Sequence, residues 1–168
     1  MGIFDFFKKS NWQKDPLFKG EKIFVEKNQT IDYKNFYPHK ITISDGRFNP
    51  FLGIGYILTI TGKFIEYIDE KSTISVMGNG FFSKIYQIDE IENLKDCKKS
   101  GNGEPFLSFI AYPGENIWEI IKAIKKSEEL TITYRHPEEP HVVNRINFDI
   151  QGLEMGLKFF KTGYTKIV

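Results

Sequence analysis

A chain of 168 residues is long enough for one domain with a hydrophobic core and short for two, and at 40% hydrophobic and 27% charged it is not a disordered chain. The formal net charge is +1 and the charges are interspersed: Lys98-Lys99 and Lys125-Lys126 are offset by Asp89-Glu90, Glu128-Glu129 and Glu138-Glu139. That pattern lacks the basic stripe with which general nucleic-acid binders neutralise phosphates, and it excludes nucleic acid as the expected partner.

The N-terminus, Met1-Gly2-Ile3-Phe4-Asp5-Phe6-Phe7, is apolar but interrupted by Asp5 and shorter than a secretory core. No run reaches the length of a transmembrane helix. Residues 1–38 are punctuated by Asn11, Pro16, Gly20, Asn28, Asn35 and Pro38, which predicts a loosely structured segment of one globular domain spanning 1–168. Within it, Lys22 to Val25 reads as a short strand. A lone Cys97 supports no internal disulfide and no thiolate zinc site, consistent with a reducing, cytoplasmic setting.

From Lys40 the pattern turns to β. Ile41 and Ile43 alternate with polar neighbours, and Leu52, Ile54, Tyr56, Leu58 and Ile60 form the clearest alternation in the chain. Gly53 and Gly55 on the opposite face mark a bulge or a close backbone approach. Gly62-Lys63 predicts a two-residue hairpin into a strand from Phe64 to Ile68. Further strands follow over Thr73–Met77 and Phe81–Ile88, joined by the Gly78-Asn79-Gly80 turn. Asp89 with Glu92 has the form of a capping box opening one or two helical turns. Lys95 to Gly103 reads as a polar loop, with Cys97 beside Lys95, Lys98 and Lys99.

In Phe106 to Tyr112 both faces are apolar, which predicts a strand covered on two sides. Asn116 with Glu119 caps a helix near 116–126, carrying Ile117, Ile120, Ile121 and Ile124 on one face, with Trp118 at its margin. Leu130, Ile132 and Tyr134 form one strand. Val142, Ile146, Phe148 and Ile150 lie on one face of its partner, with Asn144 the exception. A C-terminal helix near 151–161 follows, in which Gly152 and Gly156 permit close approach to the sheet, and Gly163 ends it. The fold class is therefore α+β: a mainly antiparallel sheet, bent or two-layered, with two principal helices.

Two stretches resemble known families. Gly80-Phe81-Phe82-Ser83-Lys84-Ile85-Tyr86-Gln87-Ile88-Asp89-Glu90-Ile91, with the strand and helix after it to about residue 126, resembles the later half of bacterial pleckstrin-homology-like domains. Leu130 to Phe160, through Tyr134-Arg135 and Phe148-Asp149-Ile150-Gln151-Gly152-Leu153, is similar to the C-terminal hairpin and helix of invasion-associated-locus-B-like proteins. The first resemblance implies a ligand or lipid-headgroup module with a basic pocket using Lys63, Arg47 or Lys84. Neither brings catalytic residues.

Chemistry-bearing groups concentrate once, at His136-Pro137-Glu138-Glu139-Pro140-His141. Two histidines and two glutamates could bind a metal for a hydrolase, with distant His39 completing a set, but two prolines keep the run out of a helix and no helical ligand spacing is present. As a hairpin tip, the same run is an exposed polar loop. There is no G-x-S-x-G elbow, so no catalytic residue, resident metal or cofactor is assigned. In profile the chain is similar to bacterial immunity proteins, which act by covering a toxin or effector. That profile implies a non-catalytic, inhibitory protein whose partner is another protein. The contact residues expected are Phe81 and Phe82 beside the glycine turn, and His136, Glu138, Glu139 and His141 at the hairpin tip.

Overall fold

A computed structural model describes residues 10–17, 22–26, 39–45, 55–78, 82–158 and 160. The first sheet contains six strands: β1 (Gln13–Lys14), β2 (Lys22–Glu26), β3 (Lys40–Asp45), β4 (Tyr56–Thr61), β7 (Lys98–Gly101) and β8 (Glu104–Ala111). The second contains β5 (Thr73–Gly78), β6 (Phe82–Gln87), β9 (Glu129–His136) and β10 (Glu139–Asp149). Their orders are β1-β2-β3-β4-β8-β7 and β10-β9-β5-β6, with every pair antiparallel. This is the expected α+β, two-layered architecture.

One continuous core joins the two sheets. Ile41 and Ile43 of β3, Leu58 and Ile60 of β4, and Leu107 and Phe109 of β8 come from the first sheet. Ile74, Val76, Leu130, Ile132 and Phe148 come from the second. The period of two places these side chains on the inner faces, where each large aliphatic contributes about 1.5–3 kcal/mol by leaving water. The helix α3 (Asn116–Lys125) closes the core with Ile117, Trp118, Ile120, Ile121 and Ile124, and the Trp118 indole stacks on Tyr56 at 5.6 Å. Its last turn is tied by Ser127, whose hydroxyl donates to the Ala123 carbonyl at 2.7 Å.

Several local expectations are corrected. Gly62-Lys63 does not make a hairpin: Gly62 has φ +146° and opens a 3-10 helix, Lys63–Tyr67, which buries Phe64 and Ile65. A strand from Phe64 to Ile68 would have exposed one of these neighbours, whereas the helical turn buries both. Lys95 to Gly103 is not a loop. It forms a short helix, α2 (Leu94–Cys97), and the edge strand β7. Asn93, rather than Asp89, caps α2, its side chain accepting from the Lys95 amide at 3.0 Å. Asp89 lies inside the preceding short helix, α1 (Ile88–Ile91), and accepts from the Leu94 amide. Glu115 stands at the N-cap of α3, one residue before the expected Asn116.

Strand β8 is buried on one face only. Leu107, Phe109 and Ala111 are inward, while Ile110 on the opposite face is 39% exposed. Gly55 is a close approach as expected, since a Cβ there would stand 2.7 Å from the Ala111 carbonyl oxygen. Gly53 lies outside the described residues, as do Asn79, Gly80 and Gly163. The C-terminal helix, α4, is described over Leu153–Leu157, and residues 159 and 161 lie outside the described set. Gly152 does permit a close approach, but to another neighbour than the sheet: its φ is +77° and a Cβ would meet Ser10 Cα at 2.7 Å. The segment around Trp12 is docked there. Ser10 donates to the Gly152 carbonyl at 2.9 Å, and the buried Trp12 indole donates to the Ile150 carbonyl at 2.9 Å.

Candidate functional site

Strand β9 pairs with β5 only from Glu129 to Thr133. Beyond Thr133 the β9–β10 hairpin therefore continues as an arm, with Tyr134 opposite Asn144 and His136 opposite Glu139. Between those pairs the register shifts, so that residues 140–143 face the single residue Arg135. A bulge of this kind disrupts the ladder and re-aims its side chains. It takes Val142 off the core face on which strict alternation had placed it: Val142 is 48% and Val143 43% exposed. His141 and Glu139 flank them, both exposed.

The arm is braced from beneath by rings. His39 meets Phe64 edge-on at 4.9 Å, Phe64 lies 5.8 Å from Tyr134, Tyr134 stacks with Tyr67 at 6.0 Å, and Tyr67 meets His136 at 4.4 Å. Aromatic pairs at these separations contribute about 0.5–1.5 kcal/mol each beyond the area they bury. Burial, with the neighbouring Tyr67 phenol, raises the pKa of Tyr134. His136 is held further by its own turn, its Nδ1 accepting from the Glu138 amide at 3.2 Å. The Glu138 carboxylate lies 3.9 Å from the same nitrogen.

Between the arm and the end of the 3-10 helix lies a cleft of about 470 Å³, lined by Glu66, Asp69, Lys71, Arg135, His136 and Pro140 among others. Its floor is fixed by local bonds. Lys98 Nζ donates to the carbonyls of Glu66 at 3.0 Å and Ile68 at 3.1 Å, satisfying the open end of the 3-10 helix. Burial depresses the Lys98 pKa, and Asp69 and Glu66 oppose that effect. Asp69 accepts from the Lys71 amide and the Ser72 hydroxyl, which shapes the turn into β5. This cleft had no signal in the sequence, because it depends on a helical turn where glycine chemistry favoured a hairpin.

A second cleft, of about 520 Å³, sits at the start of α3 between Ile91, Glu92, Ile110, Tyr112 and Glu115. Burial raises the Glu92 pKa, as do Asp96 and Glu115, against the lowering effect of Lys99.

The other expected contact residues fall elsewhere. Phe81 lies outside the described residues, and Phe82 is placed by its backbone alone, opposite Gly78 at the far end of β5. Counting ladder positions, Phe82 and His136 are about 25 Å apart, so the two expected contact points do not form one patch. Lys63 is exposed at the start of the 3-10 helix, Lys84 lies on β6, and Arg47 is outside the described residues. Among the described residues no group of three or more His, Cys, Asp or Glu is arranged to hold a metal ion. Cys97 is fully buried rather than on an exposed loop, and burial pushes its thiol up to about 11. No described helix is long and apolar enough to cross a membrane. Comparison with protein-family models, curated proteins and solved structures finds no match to this chain.

Proposed function

We propose that this chain is a non-catalytic binding protein that occludes a protein partner, in the manner of a bacterial immunity protein, and that the β9–β10 arm is its contact element. The observation that carries the reading is the pairing of a braced arm with exposed valines on its bulge. A contact element already held in place loses little side-chain and loop freedom on binding, so more of its contact energy appears as affinity. Val142 and Val143 supply the apolar centre, and Glu138, Glu139 and His141 supply a polar rim that tunes partner choice. Three polar groups under the arm are engaged in shaping it: Lys98 on carbonyls, Asp69 in its turn and His136 on the Glu138 amide.

The test is a tagged pull-down from the native cell with quantitative mass spectrometry. The wild-type chain should recover one stoichiometric protein, and a Val142→Asp/Val143→Asp variant with unchanged melting temperature should lose it. Equal recovery by both chains contradicts the assignment of the arm.

A further inference from the structure

Among the described residues, four strand edges bound the two sheets, and three of them are blunted. β1 has two residues, β7 has four and opens with Lys98-Lys99, and β10 carries the bulge at 140–143. Short edges, lysines and bulges are the devices that keep a sheet from pairing with another chain. The fourth edge, β6, has six residues in continuous register with β5 and no bulge. Among the described residues, no strand pairs with its outer side.

The phase of that edge follows from one hydrogen bond. The Ile88 amide donates to the Ser72 carbonyl at 3.0 Å, in continuation of the β5–β6 register. Antiparallel pairs alternate between bonded and unbonded, so Tyr86 and Lys84 bond to β5, while Ser83, Ile85 and Gln87 direct their N–H and C=O groups outward. The Thr73 amide agrees with this phase: it turns away from β6 to the Thr133 hydroxyl at 3.2 Å.

The two faces beside this edge differ in chemistry. On the outer face Ile85 is 70% exposed, with Met77 of β5, 49% exposed, on the same face. On the other face stand Lys84 and Tyr86, the Lys84 ammonium 5.8 Å from the Tyr86 ring, on the side where α3 carries Lys122 and is followed by Lys126. Lys122 hydrogen-bonds Glu119 at 2.8 Å and holds its carboxyl below the ordinary value, and Lys84 and Lys126 are close enough to add to that effect. Lys122 is thus paired with this carboxylate, and Lys84 and Lys126 lie within electrostatic reach of it.

The geometry points to β6 as a site of strand addition for an extended segment of a protein partner in which acidic and apolar residues alternate. Backbone bonds go to Ser83, Ile85 and Gln87, the apolar side chains cover Ile85, and the acidic ones face Lys84, Lys122 and Lys126. A second copy of this chain is the poorer occupant. Two β6 edges related by a two-fold axis would bring both lysine groups onto one face of the joined sheet. Asp89 and Glu90 begin α1 just past the strand, so the acidic residues of the guest belong beside Lys84 and not along its whole length. This surface is separate from the arm and stands or falls independently of it.

The test uses the full chain as bait for a displayed library of random nine-residue peptides. Enriched sequences should alternate acidic with apolar residues. Their binding should weaken roughly ten-fold or more in Ile85→Pro, which removes an outward N–H that β5 does not use. It should also weaken in Lys84→Glu, which leaves the backbone intact, and remain unchanged in Val142→Asp/Val143→Asp. Any of four results overturns the proposal: no enriched peptides, enrichment without alternation, equal affinity of Ile85→Pro, or a homodimer in sedimentation that Ile85→Pro dissolves. Lys84-dependent binding to vesicles containing anionic lipid, with no peptide bound, would likewise overturn it in favour of a membrane surface.

Discussion

Gly62→Ala isolates the structural choice on which the candidate cleft depends. At φ +146° an L side chain is strained, at a cost of about 1–3 kcal/mol. A Cβ would also stand 2.6 Å from His39 Cδ2 and 2.6 Å from Phe64 Cε1. Both rings are buried and packed edge-on against each other, so neither can retreat without disturbing the core. Overpacking of this kind adds about 1–3 kcal/mol. The expected loss is therefore about 4 kcal/mol, or roughly 10 °C in melting temperature for a chain of this size. Gly114→Ala is the internal control. Its φ is +93°, but a Cβ there meets nothing within 4 Å, so only the strain of about 1–2 kcal/mol remains. Urea unfolding of both variants measures the difference, and Phe64→Leu added to Gly62→Ala should recover part of the packing loss but none of the strain. Losses equal to within about 0.5 kcal/mol would refute the claim that Gly62 is hemmed in by the rings that brace the arm.

Glu92 has a folded pKa above its ordinary 4.5, so the native state binds its proton more tightly and stability falls as pH rises through that range. Glu92→Gln should accordingly raise the melting temperature at pH 7 and lose that advantage in acid; a gain independent of pH would contradict the burial argument. Cys97, raised from 9.0 to about 11, has the same sign in an alkaline window: stability declines between those values, and the folded chain should resist a thiol reagent at pH 8 until denatured. Trp12→Phe removes the donor to the Ile150 carbonyl and should cost about 2 kcal/mol by urea midpoint, because a buried acceptor loses its partner. A change under about 0.5 kcal/mol would mean that the segment at residues 10–14 is not docked on the C-terminal turn.

Much of the fold was legible where one face of an element is apolar and the other is not. The alternation Tyr56, Leu58, Ile60 placed β4, and the stripe Ile117, Ile120, Ile121, Ile124 placed α3, because burial in each case has a single period. Legibility failed where long-range contacts decide. Gly62-Lys63 carries ordinary hairpin chemistry, yet Phe64 and Ile65 are both drawn into the core and impose a helical turn. Lys98 to Gly101 has no apolar member, so nothing local marks it as a strand; it forms because β8 offers an edge. The arm was visible as a hairpin tip, since Pro137 and Pro140 interrupt regular structure. Its bulge was not, because a register shift leaves no trace in composition and moves Val142 from an inferred core position to the surface. The expected contact residues divide in the same way: His136, Glu138, Glu139 and His141 sit on one arm, while Phe82 belongs to the opposite end of the sheet.

If the arm meets a protein partner, site-specific photocrosslinking reads that contact directly. A benzophenone amino acid at position 143 should yield, in the native cell, one adduct of a single partner mass. The same group at exposed Glu104, on the far sheet, should yield none. No adduct at 143, or the same adduct from both positions, would contradict it.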